Sequence, residues 1–333
     1  MRECFEFYET SIEVESDSEE LLEELRRDFS FFSIDNCKNN FEIKIVLVLA
    51  SPPYDGLPPV KASFSTPRNI CFQNSNVSYI DYFGKGLAVY DRKQKACSIY
   101  GNDFDLVHEI AYLFILSIVG EYLDSMGLHR VHALGVSSDN RGILLLLPSG
   151  GGKSTMALKL LSQPGYMLLG EDTPIIDRKG RILPFPLRLG VRPDHETVGV
   201  PDKYIRTVNR MEFDPKKLID IDYFRERIGT AVKPGIILVG QRNLGEVSEI
   251  IPISRLKAFK ALLKYAVVGL GIYQGLEFML ERGTWELLGK AGVVSSRLYN
   301  SIRLLSQSKC YRFVLGRDIE KNCETLLEFA KSV

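Results

Sequence analysis

The chain has 333 residues, 45% of them hydrophobic and 25% charged, with 42 Lys and Arg balanced by 42 Asp and Glu. That length accommodates one large domain plus a smaller one, and the zero formal charge excludes a general nucleic-acid coat or a polybasic membrane anchor. The N-terminus, MRECFEFYETSIEVES, is acidic and lacks an apolar signal core.

In chain order, the first hundred residues predict a small α+β unit. CFEFYETSIEV alternates like a strand, and DSEELLEELRRDF is an amphipathic helix capped by Ser16, Asp17 or Ser18. FEIKIVLVLA is a stronger strand, followed by a proline-rich loop. SYIDYFGKGLAVYDRKQKACSIYG predicts a meander with turns at Gly84-Lys85-Gly86 and Arg92-Lys93-Gln94. A helix from about Asp105 to Met126 contains IAYLFILSIVGEYL, which is too short and too flanked by charge to span a bilayer and is expected to be buried. Cys4, Cys37, Cys71, Cys97, Cys310 and Cys323 show no CxxC pair, so free thiols in a reducing cytoplasm are expected.

From residue 130 onward strands alternate with helices, which predicts an α/β sandwich. Two apolar runs flank SSDNRG, a hairpin signal, and the second run enters the stretch LLPSGGGKST. KSTMALKLLSQ predicts a helix, YMLLGEDTPIID a strand ending in two carboxylates, and GRILPFPLRLGV an extended segment. Residues 192–233 read as a charged, irregular stretch. PGIILVGQR is a buried strand, SRLKAFKALLKYAVV and GLEFMLERGTWELL are helical, KCYRFVLG is a strand, and Asp318 caps the last helix. The expected division is 1–104 and 105–333.

A strand, a glycine loop and a helix opening with Lys-Ser form a phosphate cradle. Consecutive glycines let backbone N–H groups converge on one anion, and the helix N-terminus adds partial positive charge. Ser149, Gly150, Gly151, Gly152, Lys153, Ser154 and Thr155 are the candidate nucleotide-binding residues, with Ser154 offering its hydroxyl to Mg2+. Leu147 stands where the full pattern has its first glycine. Glu171 and Asp172 lie where a metal-binding carboxylate is expected, and a second carboxylate there suits a general base. His132, read as lying in an apolar strand of the hairpin, is placed beside Glu171 to tune its basicity.

The region LHRVHALGV, GILLLLPSGGGKSTMALKLL, GYMLLGEDTPIID resembles the C-terminal catalytic domain of HPr kinase/phosphorylase, related in fold to phosphoenolpyruvate carboxykinase. The resemblance runs from about Leu128 to Val191 and implies an HPr-kinase/carboxykinase-like P-loop sandwich behind a small N-terminal α+β domain. It implies ATP and Mg2+ as cofactors and transfer of the γ-phosphoryl group to a hydroxyl of a protein, peptide or small molecule. By that resemblance Glu171 takes the place of the family's catalytic aspartate, His132 that of its histidine, and Asp172 that of the metal-side carboxylate. Arg188, in FPLRLGV, falls near the arginine expected to touch the transferred phosphate, with Arg192 a second candidate nearby. Three departures accompany it: a glutamate at 171, Pro186 where the family's signature has glutamate, and an unfamiliar N-terminal hundred residues. The chain is thus similar to orphan HPr-kinase-related proteins. The competing reading is a nucleotide-binding regulatory or accessory protein with little or no ATPase activity.

RPDHETVGVPDKYIRTVNRMEFDPKK is the expected acceptor-binding lid, where Arg206, Arg210, Lys216 and Lys217 hint at an anionic acceptor or simply face solvent. Gly269, Gly271 and Gly275 follow a helical pattern, which favours packing over a second nucleotide site. The aromatics around Trp285 lack basic interleaving, so nucleic acid is not an expected partner, and the balanced charge leaves no membrane partner expected either. Related enzymes form hexamers, which leaves room for a homo-oligomer.

Overall fold

The computed structural model describes residues 1–35, 37, 41–147, 151–191, 199–209, 215–267 and 284–332. It is a mixed α/β protein whose chain divides into two compact units, Met1–Tyr122 with Gly190–Tyr223, and Leu123–Leu189 with the described residues of Phe224–Tyr273 and Glu281–Val333. The division falls within a long helix rather than ahead of it at 104, and residues 190–223 join the first unit. A sequence boundary drawn at a change of pattern misses both features, because the helix is continuous and the later segment returns by packing.

In the first unit, CFEFYETSIEV is two strands rather than one, β1 (Arg2–Phe7) and β2 (Thr10–Ser16). They turn at Tyr8, whose φ is 61°. Helix α1 (Glu19–Asp28) follows, capped by Ser18, whose hydroxyl accepts from the Leu21 N–H. The remaining strands are β3 (Ile43–Val48), β4 (Ala62–Ser65), β5 (Ile70–Asn74), β6 (Val77–Asp81), β7 (Gly86–Asp91) and β8 (Ala96–Gly101). They form one eight-stranded sheet in the order β1-β2-β3-β8-β7-β6-β5-β4. The proline-rich loop therefore contributes β4, which its composition hid.

Helix α2 (Phe104–Ser125) has 22 residues and is long and apolar enough to cross a bilayer, contrary to the expectation from its apolar stretch alone; 78% of its most apolar window is buried within the protein. It is the one such helix among the described residues.

The second unit is built on β9 (His129–Arg130), β10 (Leu134–Ser138), β11 (Arg141–Leu146), helix α3 (Lys153–Leu161), β12 (Met167–Gly170), β13 (Ile175–Ile176) and β14 (Ile182–Leu183). The chain then returns to the first unit with β15 (Leu189–Val191), β16 (Ile205–Val208) and β17 (Lys216–Ile219), a ribbon of order β15-β17-β16. Strands β18 (Lys233–Arg242) and β19 (Glu249–Pro252), helices α4 (Arg255–Leu262) and α5 (Thr284–Ser306), strand β20 (Lys309–Leu315) and helix α6 (Ile319–Lys331) complete the second unit. The main sheet has six strands in the order β12-β10-β11-β18-β20-β19. The β10–β11 hairpin turns at Asp139 and Asn140, both with positive φ (47° and 59°), as SSDNRG predicts. β11, β18 and β20 run parallel, and the apolar runs of β11 and β18 are buried on both faces: Leu144 and Ile237 join one core with α4 and α5, while the alternating Leu145 and Leu238 are equally buried.

Candidate functional site

Strand direction assembles the site. β10 is antiparallel to both β11 and β12, so the C-terminal ends of β11 and β12 and the N-terminal end of β10 share one edge of the sheet. That edge is where open α/β sheets bind ligands, because loops leaving the strands meet helix N-termini there. Leu147 and the glycine loop leave β11, Glu171 and Asp172 leave β12, and His132 precedes β10.

Of the cradle residues, Ser149 and Gly150 lie outside the described residues, as does Arg192. Gly151 is buried. Gly152 immediately precedes α3 with φ +94°, a left-handed conformation costing an L-residue roughly 1–2 kcal/mol. A Cβ there would also lie 2.9 Å from Ile319 Cδ1. Thr155 is half-buried on α3.

Leu147, the departure from the glycine pattern, is fully buried at the end of β11. Its neighbour strand accommodates it: a Cβ at Gly240 of β18 would collide with Leu147 Cδ2. The glycine missing from the loop is thus matched by a glycine opposite it, and the leucine side chain fills that space.

Lys153, the first residue of α3, is 5% exposed. Its ammonium donates to His132 Nε2 (2.9 Å) and the Leu147 carbonyl (3.2 Å), and lies 3.2 Å from Asp172 Oδ1. Because an ammonium only donates, Nε2 must accept, which puts the imidazole proton on Nδ1. Nδ1 is 3.3 Å from Asp172 Oδ1, yet it is a buried atom with no hydrogen-bond partner among the described residues. Burial pushes the imidazole below its ordinary pKa; the Lys153 ammonium acts the same way and Asp172 opposes both.

His132 does not lie in a strand but in the break between β9 and β10, and the carboxylate drawn against it belongs to Asp172 rather than the expected Glu171. Backbone pairing explains this. The Val131 N–H donates to the Pro174 carbonyl and the Ala133 N–H to the Asp172 carbonyl, so the two segments run side by side in this register. Glu171 points to the helix instead, where its Oε1 accepts from the Ser154 hydroxyl at 2.6 Å. Close packing of Gly135 and Gly170 on Pro174 fixes the turn after β12: a Cβ at either glycine would stand 2.9 Å from a Pro174 atom.

Tyr265, which the sequence reading passed over, floors the cluster. Its ring stacks on His132 with centroids 6.0 Å apart, and its carbonyl accepts from the His132 N–H. It sits in a π-helical turn, Leu263–Val267, a feature common near functional sites but without a sequence signature of its own. Arg188 is half-buried on the extended segment between β14 and β15, and its role rests on the resemblance alone.

A second constellation has the connectivity of a nucleophile triad. His129 Nδ1 meets Asp124 Oδ1 at 2.7 Å, and His129 Nε2 meets the Ser296 hydroxyl at 2.8 Å. Burial raises the Asp124 pKa, but the His129 hydrogen bond and the Arg297 guanidinium outweigh it and hold the carboxyl below the usual range. Arg297 also donates to the Ala266 carbonyl. A carboxylate already neutralised by a buried arginine gives little support to a developing imidazolium, so this network acts as a clamp on α5.

Compared with known proteins, the chain matches no family model and no curated sequence.

Proposed function

We propose that the protein is an ATP-dependent phosphotransferase that moves a γ-phosphoryl group to a hydroxyl of a protein, peptide or small molecule, with an HPr-kinase-like P-loop fold. The observation that carries this reading is the convergence of Lys153, Ser154, Glu171, Asp172 and His132 at one sheet edge beside a left-handed glycine and a helix N-terminus.

The geometry favours exchanging the two carboxylate roles expected from sequence. Ser154 and Glu171 offer two adjacent hard oxygens, a donor set that fits Mg2+. Mg2+ there would supply positive charge against the phosphate oxygens. Asp172, 37% exposed and held between Lys153 and His132, is the carboxylate suited to take the acceptor's proton as the acceptor oxygen bonds phosphorus and ADP departs. Lys153 neutralises phosphate charge once drawn off its internal partners. His132 keeps a buried donor at Nδ1, whose lack of a hydrogen bond costs about 1–3 kcal/mol unless a ligand or the base satisfies it.

The accessory-protein reading draws on one observation: the Lys153 ammonium already has three internal partners, which nucleotide must displace. Asp172→Asn and Glu171→Gln separate the roles. The expected result is that Asp172→Asn keeps Mg2+–ATP binding but lowers transfer, measured with labelled ATP across an acceptor screen, by roughly 100-fold or more. Undiminished transfer would remove Asp172 as base, and nucleotide binding without transfer to any acceptor would favour the accessory protein.

A further inference from the structure

The cysteine expectation fails at one pair, and that failure opens a second site. Cys4, on β1, and Cys37 are joined as a disulfide with Cα atoms 5.5 Å apart, although 33 residues separate them. Pairing of Phe5 with Ser33 and the bond from the Ile34 N–H to the Cys4 carbonyl return the chain to β1. Spacing alone could not show this. The other cysteines, Cys71, Cys97, Cys310 and Cys323, are buried free thiols. Burial pushes the thiol pKa values of Cys97, Cys310 and Cys323 up, that of Cys323 to about 12, so these three are poor thiolates.

Opposite Cys4 in the β1–β2 register stands Glu13, a carboxylate only 3% exposed. Its Oε2 has no hydrogen-bond partner among the described residues, and an oxygen of Glu13 and the two sulfurs lie within 4.8 Å of one another. Arg2 Nη1 stands 3.5 Å from this same Oε2 without hydrogen-bonding it, and Lys44 Nζ stands 3.5 Å from Oε1, so the buried carboxylate is charge-compensated while Oε2 keeps its lone pairs for a further cation. A cavity of about 340 Å3, lined by Arg2, Glu3, Arg26 and Asp35 among others, opens onto both cysteines.

We infer that Cys4, Cys37 and Glu13 form a redox-gated site for a borderline-soft divalent cation, Zn2+ above all. A dithiol reductant delivers two electrons and two protons: the Cys4–Cys37 bond breaks, two thiols form, and the reductant is left as its own disulfide. Zn2+ then displaces both thiol protons to solvent and is held by two sulfurs and a Glu13 oxygen. A tetrahedral Zn2+ with bonds of about 2.0–2.3 Å needs donor separations of roughly 3.5–4 Å, a span the three groups reach once the sulfurs part. Two thiolates and a carboxylate exceed the ion's charge by one unit, which the neighbouring Arg2 and Lys44 offset. The cavity leaves the fourth position to water. In the oxidised state the sulfurs are bonded to each other and the site is closed.

The test uses the full chain, reduced with a phosphine that is then removed, and titrated anaerobically with Zn2+ against a chromophoric chelator and separately with Co2+. The expected result is one Zn2+ per reduced chain, none per oxidised chain, and a near-ultraviolet thiolate-to-cobalt band. Glu13→Gln is expected to weaken Zn2+ binding by about tenfold or more, as loss of a ligand to a metal site does. Cys4→Ser/Cys37→Ser, which keeps the four buried thiols, is expected to abolish it. Reduced wild type that takes up no stoichiometric Zn2+, or Co2+ without the thiolate band, would overturn the site whether or not the variants fold. Equal uptake by oxidised and reduced chains would overturn the gating.

Discussion

At the residue scale, the central assignment is that Asp172, not Glu171, faces His132, and each role leaves a distinct kinetic trace. Glu171→Gln is expected to raise the Mg2+ concentration needed for half-maximal nucleotide binding, with a shift of roughly tenfold, because it removes a charged oxygen next to Ser154. Binding measured across a Mg2+ series checks this, and an unchanged Mg2+ requirement would return Glu171 to another role. His132 makes a separate prediction about pH. Its folded-state pKa lies below the ordinary value of about 6.5, so the unfolded chain takes the proton more readily. The stability contributed by the neutral ring is therefore complete above about pH 6.5 and is lost as pH falls below it. Urea unfolding at pH 7 and pH 5 should show a loss that His132→Gln makes smaller. An identical loss in the variant would mean that other groups carry the pH dependence.

At the element scale, the junction of β11 with the glycine loop depends on complementary volumes across two parallel strands. Gly240→Ala places a methyl group on Leu147 Cδ2 and should cost about 1–3 kcal/mol. Leu147→Ala in the same chain removes that atom, so the double variant should be less unstable than the summed single costs require. Strict additivity in chemical denaturation would contradict the packing. Much of this element was legible in sequence. SSDNRG gave the hairpin, KSTMALKLL the helix, Asp318 the cap of α6, and YMLLG the strand that delivers the carboxylates, while the cap of α1, narrowed by sequence to Ser16, Asp17 or Ser18, falls on Ser18. The orientation of those carboxylates was not legible. It follows from the backbone register of residues 131–133 against 172–174, a pairing between segments forty residues apart that no local pattern encodes.

At the scale of the whole chain, residues distant in sequence meet in ways that local patterns do not announce. The stretch expected as an acceptor lid places Arg206 in the first unit at 8% side-chain exposure, where it meets Glu24, Asp28 and Asp220. Burial disfavours the Arg206 charge, but Asp28 and Glu24 more than reverse this and raise its pKa. Arg27 shares Asp220 at 2.6 Å, and His108 shares Asp28 at 2.9 Å. Such an arginine is neither solvated nor available to an acceptor. Arg206→Ala removes the cation that three carboxylates share, leaving Asp220 with Arg27 and Asp28 with His108, and should cost about 3–5 kcal/mol, measurable by thermal or urea unfolding. A loss under about 1 kcal/mol would show the network to be dispensable. The Cys4–Cys37 bond and the return of residues 190–223 to the first unit belong to the same class: both join residues distant in sequence, and composition carries no trace of either.

The phosphate cradle itself is tested most directly by calorimetric titration of the wild type and Lys153→Ala with ATP, with and without Mg2+. Mg2+-dependent binding in the wild type, weakened by at least about tenfold in Lys153→Ala, is the predicted result. Equal affinity in both proteins, or no binding by a folded wild type, would contradict a nucleotide site at the end of β11.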